Sequence, residues 1–130
     1  MSQKLAGAIG NADGSGDPDA ADDCGSFGLL RGIRERSAML TLRKSSGDMT
    51  AVSYAWVERI AYDAATHCIT LHGAGPPVRI RGRHLTDPAK AGVSLFEGLS
   101  RQRVPWIAES SRETLMRAEG EQCVIESIEC

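Results

Sequence analysis

Arg79, Arg81 and Arg83 alternate with Val78, Ile80 and Gly82. On an extended strand, every second residue faces the same way, so this spacing sets three guanidinium groups in one row. Each is permanently charged and offers a planar fork of N–H donors that fits a phosphate or a carboxylate. With Arg43 and Arg59 supplied by neighbouring strands, the row would make an anion-binding face for nucleic acid or a phosphorylated ligand. The same pattern also suits the solvated side of a half-buried sheet, where charge keeps strands from pairing with a second chain. No aromatic residue is interleaved with these arginines. Proteins that hold single strands place stacking rings on the basic surface, so nucleic acid is admitted as a partner but not favoured.

Trp56, Tyr54 and Tyr62 form the one aromatic concentration. Trp and Tyr anchor many protein interfaces, which makes these three a candidate interaction surface. They serve equally as core residues with polar tips at the rim.

Other chemistry finds less support. His67, Cys68, His72 and His84 are the nearest thing to a metal-ligand cluster. Cys68 and His72 would lie about 13 Å apart along a strand, too far for one ion, and no CxxC or HxxxH anchors a site. No metal or other cofactor is expected. Aligning Gly14 with the turn glycine of a calcium loop puts Ile9 and Ala20 at ligand positions, where neither can bind calcium. Gly73-Ala74-Gly75 runs into Pro76 and Pro77 rather than a helix with free N–H groups, so it is no dinucleotide loop. No nucleophile, general-base or phosphate-loop motif is found, and the chain reads as non-catalytic.

The elements that would position these residues follow from composition and periodicity. The chain has 130 residues, a net charge of −2, 42% hydrophobic and 25% charged residues. That is the composition of one globular domain. Residues 1–30, 31–90 and 91–130 carry −4, +5 and −3, so a basic middle is flanked by acidic ends. Twelve Arg against three Lys, with abundant Ala and Gly, suggests a GC-rich, bacterial coding sequence. No apolar run approaches the roughly 20 residues of a membrane helix, and residues 1–10 hold no apolar stretch of a secretory signal. Four cysteines without CxxC spacing are expected as free thiols in a reducing cytoplasm.

Residues 1–26, rich in Gly, Ala and Asp, lack the apolar surface to offset the entropy of ordering and are expected to be a disordered leader. A single domain over 27–120 follows, with 121–130 as a tail or final edge strand. Alternation predicts strands at 38–43, 50–54, 60–62, 67–72 and 78–81, with a bulge or 3₁₀ turn after Tyr54. Asp87 and Pro88 resemble a helix start, and Val93, Phe96 and Leu99 share a helical face, predicting a helix over 88–101. Pro105 confines 104–107 to an edge strand. Ser110 and Glu113 fit a capping box opening a short helix, 111–119.

The expected fold is therefore α+β. An antiparallel meander of about five to six strands carries one main helix, 88–101, on one face. The expected function is a non-catalytic module that binds a protein partner or a second copy of itself. Should Trp56, Met39 or Leu85 face outward opposite the helix, that face would be the dimer surface. The alternative is an anion-binding module built on the arginine row.

Overall fold

The structure is a computed structural model, and it describes residues 21–89, 92–117 and 122–130. Its strands are β1 (Ala21–Asp23), β2 (Gly28–Leu30), β3 (Met39–Arg43), β4 (Met49–Ser53), β5 (Arg59–Asp63), β6 (Cys68–His72), β7 (Val78–Arg83), β8 (Trp106–Ala108) and β9 (Val124–Glu129). Two short helices, α1 (Leu95–Ser100) and α2 (Arg112–Arg117), and a 3₁₀ turn at Tyr54–Trp56 complete the described elements.

The fold is mostly β, and this overturns the expected single meander under one main helix. Three sheets form, with orders β1-β2, β4-β3-β8 and β5-β6-β7-β9. The individual strands were legible because their apolar residues alternate: Leu40 and Leu42, Ile69 and Leu71, and Val78 and Ile80 are buried. The break between sheets was not. The chain leaves the meander at the 3₁₀ turn, where the Ser53 hydroxyl accepts the Ala55 N–H, so β4 and β5 enter different sheets.

The helix over 88–101 is also corrected, to the six residues of α1. Gly92 adopts φ of +79°, a left-handed conformation that stops a helix. The Ala89 and Gly92 amides instead close a turn through the Val93 and Ala89 carbonyls. Ser94 is the N-cap, accepting the Glu97 N–H at 3.1 Å. Asp87 is engaged elsewhere, with His84.

Two further boundaries moved. Ser111, rather than Ser110, receives the first free amide of α2, from Thr114 at 3.1 Å. The end of the expected 111–119 helix and Gly120 lie outside the described residues. The strand expected at 104–107 forms as β8, starting at Trp106, and it is the outer strand of its sheet, as Pro105 required. Pro105 precedes β8, its carbonyl accepting the Thr41 N–H. β8 then pairs parallel with β3 on one side and bridges Phe27 through Ile107 on the other. Of the expected leader, residues 1–20 lie outside the described residues, whereas Ala21–Asp23 pairs with β2. The final residues form β9, an edge strand paired antiparallel with β7.

The core lies between the sheets. Phe27, Leu29, Leu40, Leu42, Ile69, Leu71, Ile80, Ile107 and Ile125 are buried, with Leu95 and Leu99 from α1 packed against them. Burying each such side chain stabilises the fold by about 1.5–3 kcal/mol. Glu109 closes the seam between the two larger sheets. One carboxylate oxygen accepts the Ser45 N–H and hydroxyl, and the other accepts the Ile128 N–H at 2.7 Å. Burial pushes the Glu109 carboxyl up. The hydrogen bonds from Ser45 and Ile128 and the charge of Lys44 outweigh it and leave the group below its ordinary value. Among the described residues no helix is long and apolar enough to cross a membrane.

Candidate functional site: an arginine face and an adjoining cavity

β7 alternates buried Val78, Ile80 and Gly82 with exposed Arg79, Arg81 and Arg83, as its spacing required. Strand register supplies the neighbours on the open face. Arg79 stands between Thr70 of β6 and Glu129 of β9, and Arg81 between Cys68 and Ser127. Arg59 of β5 is opposite His72, on the same face two strands away. The strand rise sets Arg79 and Arg81 about 7 Å apart along β7.

What separates these arginines is the company they keep. Among the described residues, no carboxylate lies within ion-pair distance of Arg59, Arg79 or Arg81. Glu129 faces Arg79 across the ladder without reaching it. Elsewhere Arg31 is bound to Asp22 and Arg101 to Glu97, each at 2.8 Å. Arg103 is buried, with Nε and Nη2 donating to the Leu30 carbonyl. Arg83, expected in the row, is held differently from its neighbours. A bulge in β9, between the partners of Arg81 and Gly82, inserts Glu126 and turns it toward Arg83, with Nε–Oε2 at 3.4 Å. Arg43 is not brought to this face. It lies on the three-stranded sheet, its guanidinium carbon 5.0 Å above the Trp106 ring.

The three aromatic residues differ in exposure. Tyr54 is buried and donates its hydroxyl to the Val104 carbonyl at 2.6 Å, and burial raises its phenol well above the ordinary value. Trp56 is half-buried, its indole N–H on the Ala74 carbonyl at 2.6 Å. Tyr62 packs edge-on against Phe96, centroids 6.5 Å apart. Tyr54 belongs to the core, while Trp56 and Tyr62 pack against it and stay partly exposed at its rim. Of the residues proposed to face outward, Met39 does so, at 44% exposed, while Leu85 is buried.

The sequence reading missed a cluster at the end of β7. His84 Nδ1 lies 2.6 Å from Asp87 Oδ2. A carboxylate only accepts, so Nδ1 carries the proton. The Tyr62 hydroxyl meets His67 Nδ1 at 3.3 Å. His67 and His84 both hold left-handed backbone, φ of 53° and 60°. That conformation costs about 1 kcal/mol or more for a residue with a side chain. These groups line a cavity of about 240 Å³ with Arg83 and Thr86. The sequence groups His67 with His84 and sets a His three residues before an Asp just past a strand, but the Asp87-Pro88 step reads as a helix cap and hides the His84–Asp87 pair.

On the far side of the His84–Asp87 pair, a second cavity is lined by Cys24 and Cys123. Burial, with Cys24 and Asp87 nearby, pushes the Cys123 thiol up to about 12, so it stays protonated at neutral pH and is no nucleophile. Among the described residues no three His, Cys, Asp or Glu side chains gather as a metal-binding group. No protein-family model, no curated protein and no solved structure matches the chain.

Proposed function

We propose that this protein is a non-catalytic anion-binding module whose working surface is the open face of the β5-β6-β7-β9 sheet. The observation that carries this reading is the pair Arg79 and Arg81, exposed, in register and without a carboxylate partner. Thr70 and Ser127 stand beside them as hydroxyl donors, and Arg59 and His72 extend the face toward β5. Guanidinium forks bind phosphate through paired, charge-assisted hydrogen bonds. No aromatic ring stands on this face, so the favoured ligand is a phosphorylated group rather than stacked bases.

The test is calorimetric titration of the full chain with inorganic tripolyphosphate at low and high NaCl. Binding is expected to weaken steeply with salt. Replacing both Arg79 and Arg81 by Ala removes two charge-assisted contacts, worth about 3 kcal/mol together, or about 100-fold in affinity. Unchanged affinity in that variant, or indifference to salt, would sink the reading.

A second reading, self-association with another copy, is favoured by β4. This edge strand, Met49-Thr50-Ala51-Val52-Ser53, carries no charge, no proline and no bulge, the usual guards against pairing. Its neutral sequence can lie antiparallel to itself with no like charges opposed.

A further inference from the structure

We propose that the cavity at the end of β7 is a second and separate site, one that takes a small phosphomonoester. This proposal does not rest on the reading of the open arginine face. Tyr62, His67, Arg83, His84, Thr86 and Asp87 line the cavity. Five of the six offer hydrogen-bond donors, and they come from β5, the β5–β6 turn, β7 and the segment that follows β7. Each histidine ring has Nδ1 engaged, His67 with Tyr62 and His84 with Asp87. Nε2 of both rings has no hydrogen-bond partner among the described residues. The single carboxylate of the lining, Asp87, is engaged by His84, and Arg83 supplies the lining's fixed positive charge. Arg83 itself is only loosely held, at 3.4 Å from both Glu126 and the Leu115 carbonyl.

Backbone geometry supports the assignment. Two non-glycine residues in left-handed backbone flank one cavity, and both are histidines. Held strain of this kind concentrates where a side chain must be aimed at a ligand. The Gly82 N–H bonds the His67 carbonyl at 3.2 Å, fixing the His67 turn against β7. A volume of about 240 Å³ suits a phosphate with a small substituent, below the 300–1,000 Å³ of drug-sized sites.

The chain's three histidines make the test direct. His67 and His84 line the cavity, and His72 lies on the arginine face opposite Arg59. The imidazole signals of the full chain are followed by NMR as phenyl phosphate is added at constant pH and ionic strength, with phenol as the uncharged control. The proposal expects the His67 and His84 signals to shift together and saturate with one dissociation constant, and phenol to leave them in place. His84→Asn keeps a residue that tolerates left-handed backbone and is expected to weaken binding at least tenfold, read from His67. His67→Asn gives the reciprocal reading from His84 should the first variant fail to fold. Shifts confined to His72, linear drift without saturation, or equal shifts with phenol would each overturn the proposal. A response of His72 alone would do so while leaving the arginine face as the phosphate site, so the two ideas fail separately.

Discussion

On the four-stranded sheet, Arg79 projects from β7 between Thr70 and Glu129 and Arg81 between Cys68 and Ser127, and neither forms an ion pair among the described residues. On the three-stranded sheet, Arg43 projects from β3 in the same alternating way but lies over Trp106. Residue type and strand spacing are identical in the two regions. The difference comes from the neighbouring strand: β9 sets Ser127 beside Arg81, while β8 places an indole beside β3. The first face is polar and leaves Arg79 and Arg81 without an ion pair among the described residues. The second is apolar, with Met39 44% and Met49 67% exposed beside a neutral edge. An arginine is available to a ligand only where its cross-strand neighbour leaves it unoccupied.

The largest stability effect is expected where that second face is built. Trp106 lies across Gly28, and a methyl group there would overlap the indole. Gly28→Ala should force the ring aside and cost about 2–3 kcal/mol by overpacking, read from urea denaturation. Arg43 would lose its ring in the same step. Tripolyphosphate affinity of the folded variant should stay within about twofold, because Arg79 and Arg81 do not depend on Trp106. A parallel collapse of affinity would show that the two faces are mechanically one.

Next in size is the seam that joins them. Glu109→Gln keeps an acceptor but removes the charge that holds two backbone amides and a hydroxyl, and should cost about 1–2 kcal/mol at pH 7. The Glu109 carboxyl sits below its ordinary value in the folded protein. Its contribution is therefore full above the unfolded value of about 4.3 and is lost as pH falls through the folded one. The gap in stability between the original chain and the variant should narrow as pH is lowered below about 4. A constant gap would mean that the seam holds by shape and not by charge.

How far the sequence revealed this arrangement depends on the range of the interaction. The row on β7 and the inward set Ile69, Leu71, Val78 and Ile80 follow from period-two alternation, a local property, whereas after Tyr54 the same pattern left a bulge and a 3₁₀ turn equally open. The division into sheets does not. β8 reaches β3 across more than sixty residues, and only assembled strands show that Trp106, not a carboxylate, meets Arg43. The expected helix failed at one residue, since apolar spacing continued past Gly92 while its backbone could not. Glu126 was unreadable as the partner of Arg83, because it faces that side only through a bulge. His84 and Asp87 were adjacent enough to notice, but the Asp-Pro step pointed to a cap.

The smallest effect on stability, and the sharpest on the comparison, is expected from Ala51→Lys. Ala51 sits exposed at the centre of β4, opposite Thr41. In an antiparallel pair, backbone groups alternate between bonding the partner and facing away. The Tyr54 N–H bonds Ala38 and the Lys44 N–H bonds Asp48, so by alternation Thr50 and Val52 bond β3 while Met49, Ala51 and Ser53 turn theirs to the open edge. A lysine there costs the monomer no more than about 0.5 kcal/mol but would oppose itself across a two-fold contact. Sedimentation equilibrium is run under reducing conditions, because Cys130 is exposed and would otherwise cross-link copies. A salt-insensitive dimer that Ala51→Lys converts to monomer would make the β4 edge a working surface, with the arginines as its solvated opposite. Monomers at every salt concentration, with or without the lysine, would remove the β4 edge from this comparison and leave the arginine face as the side of it proposed to meet a ligand.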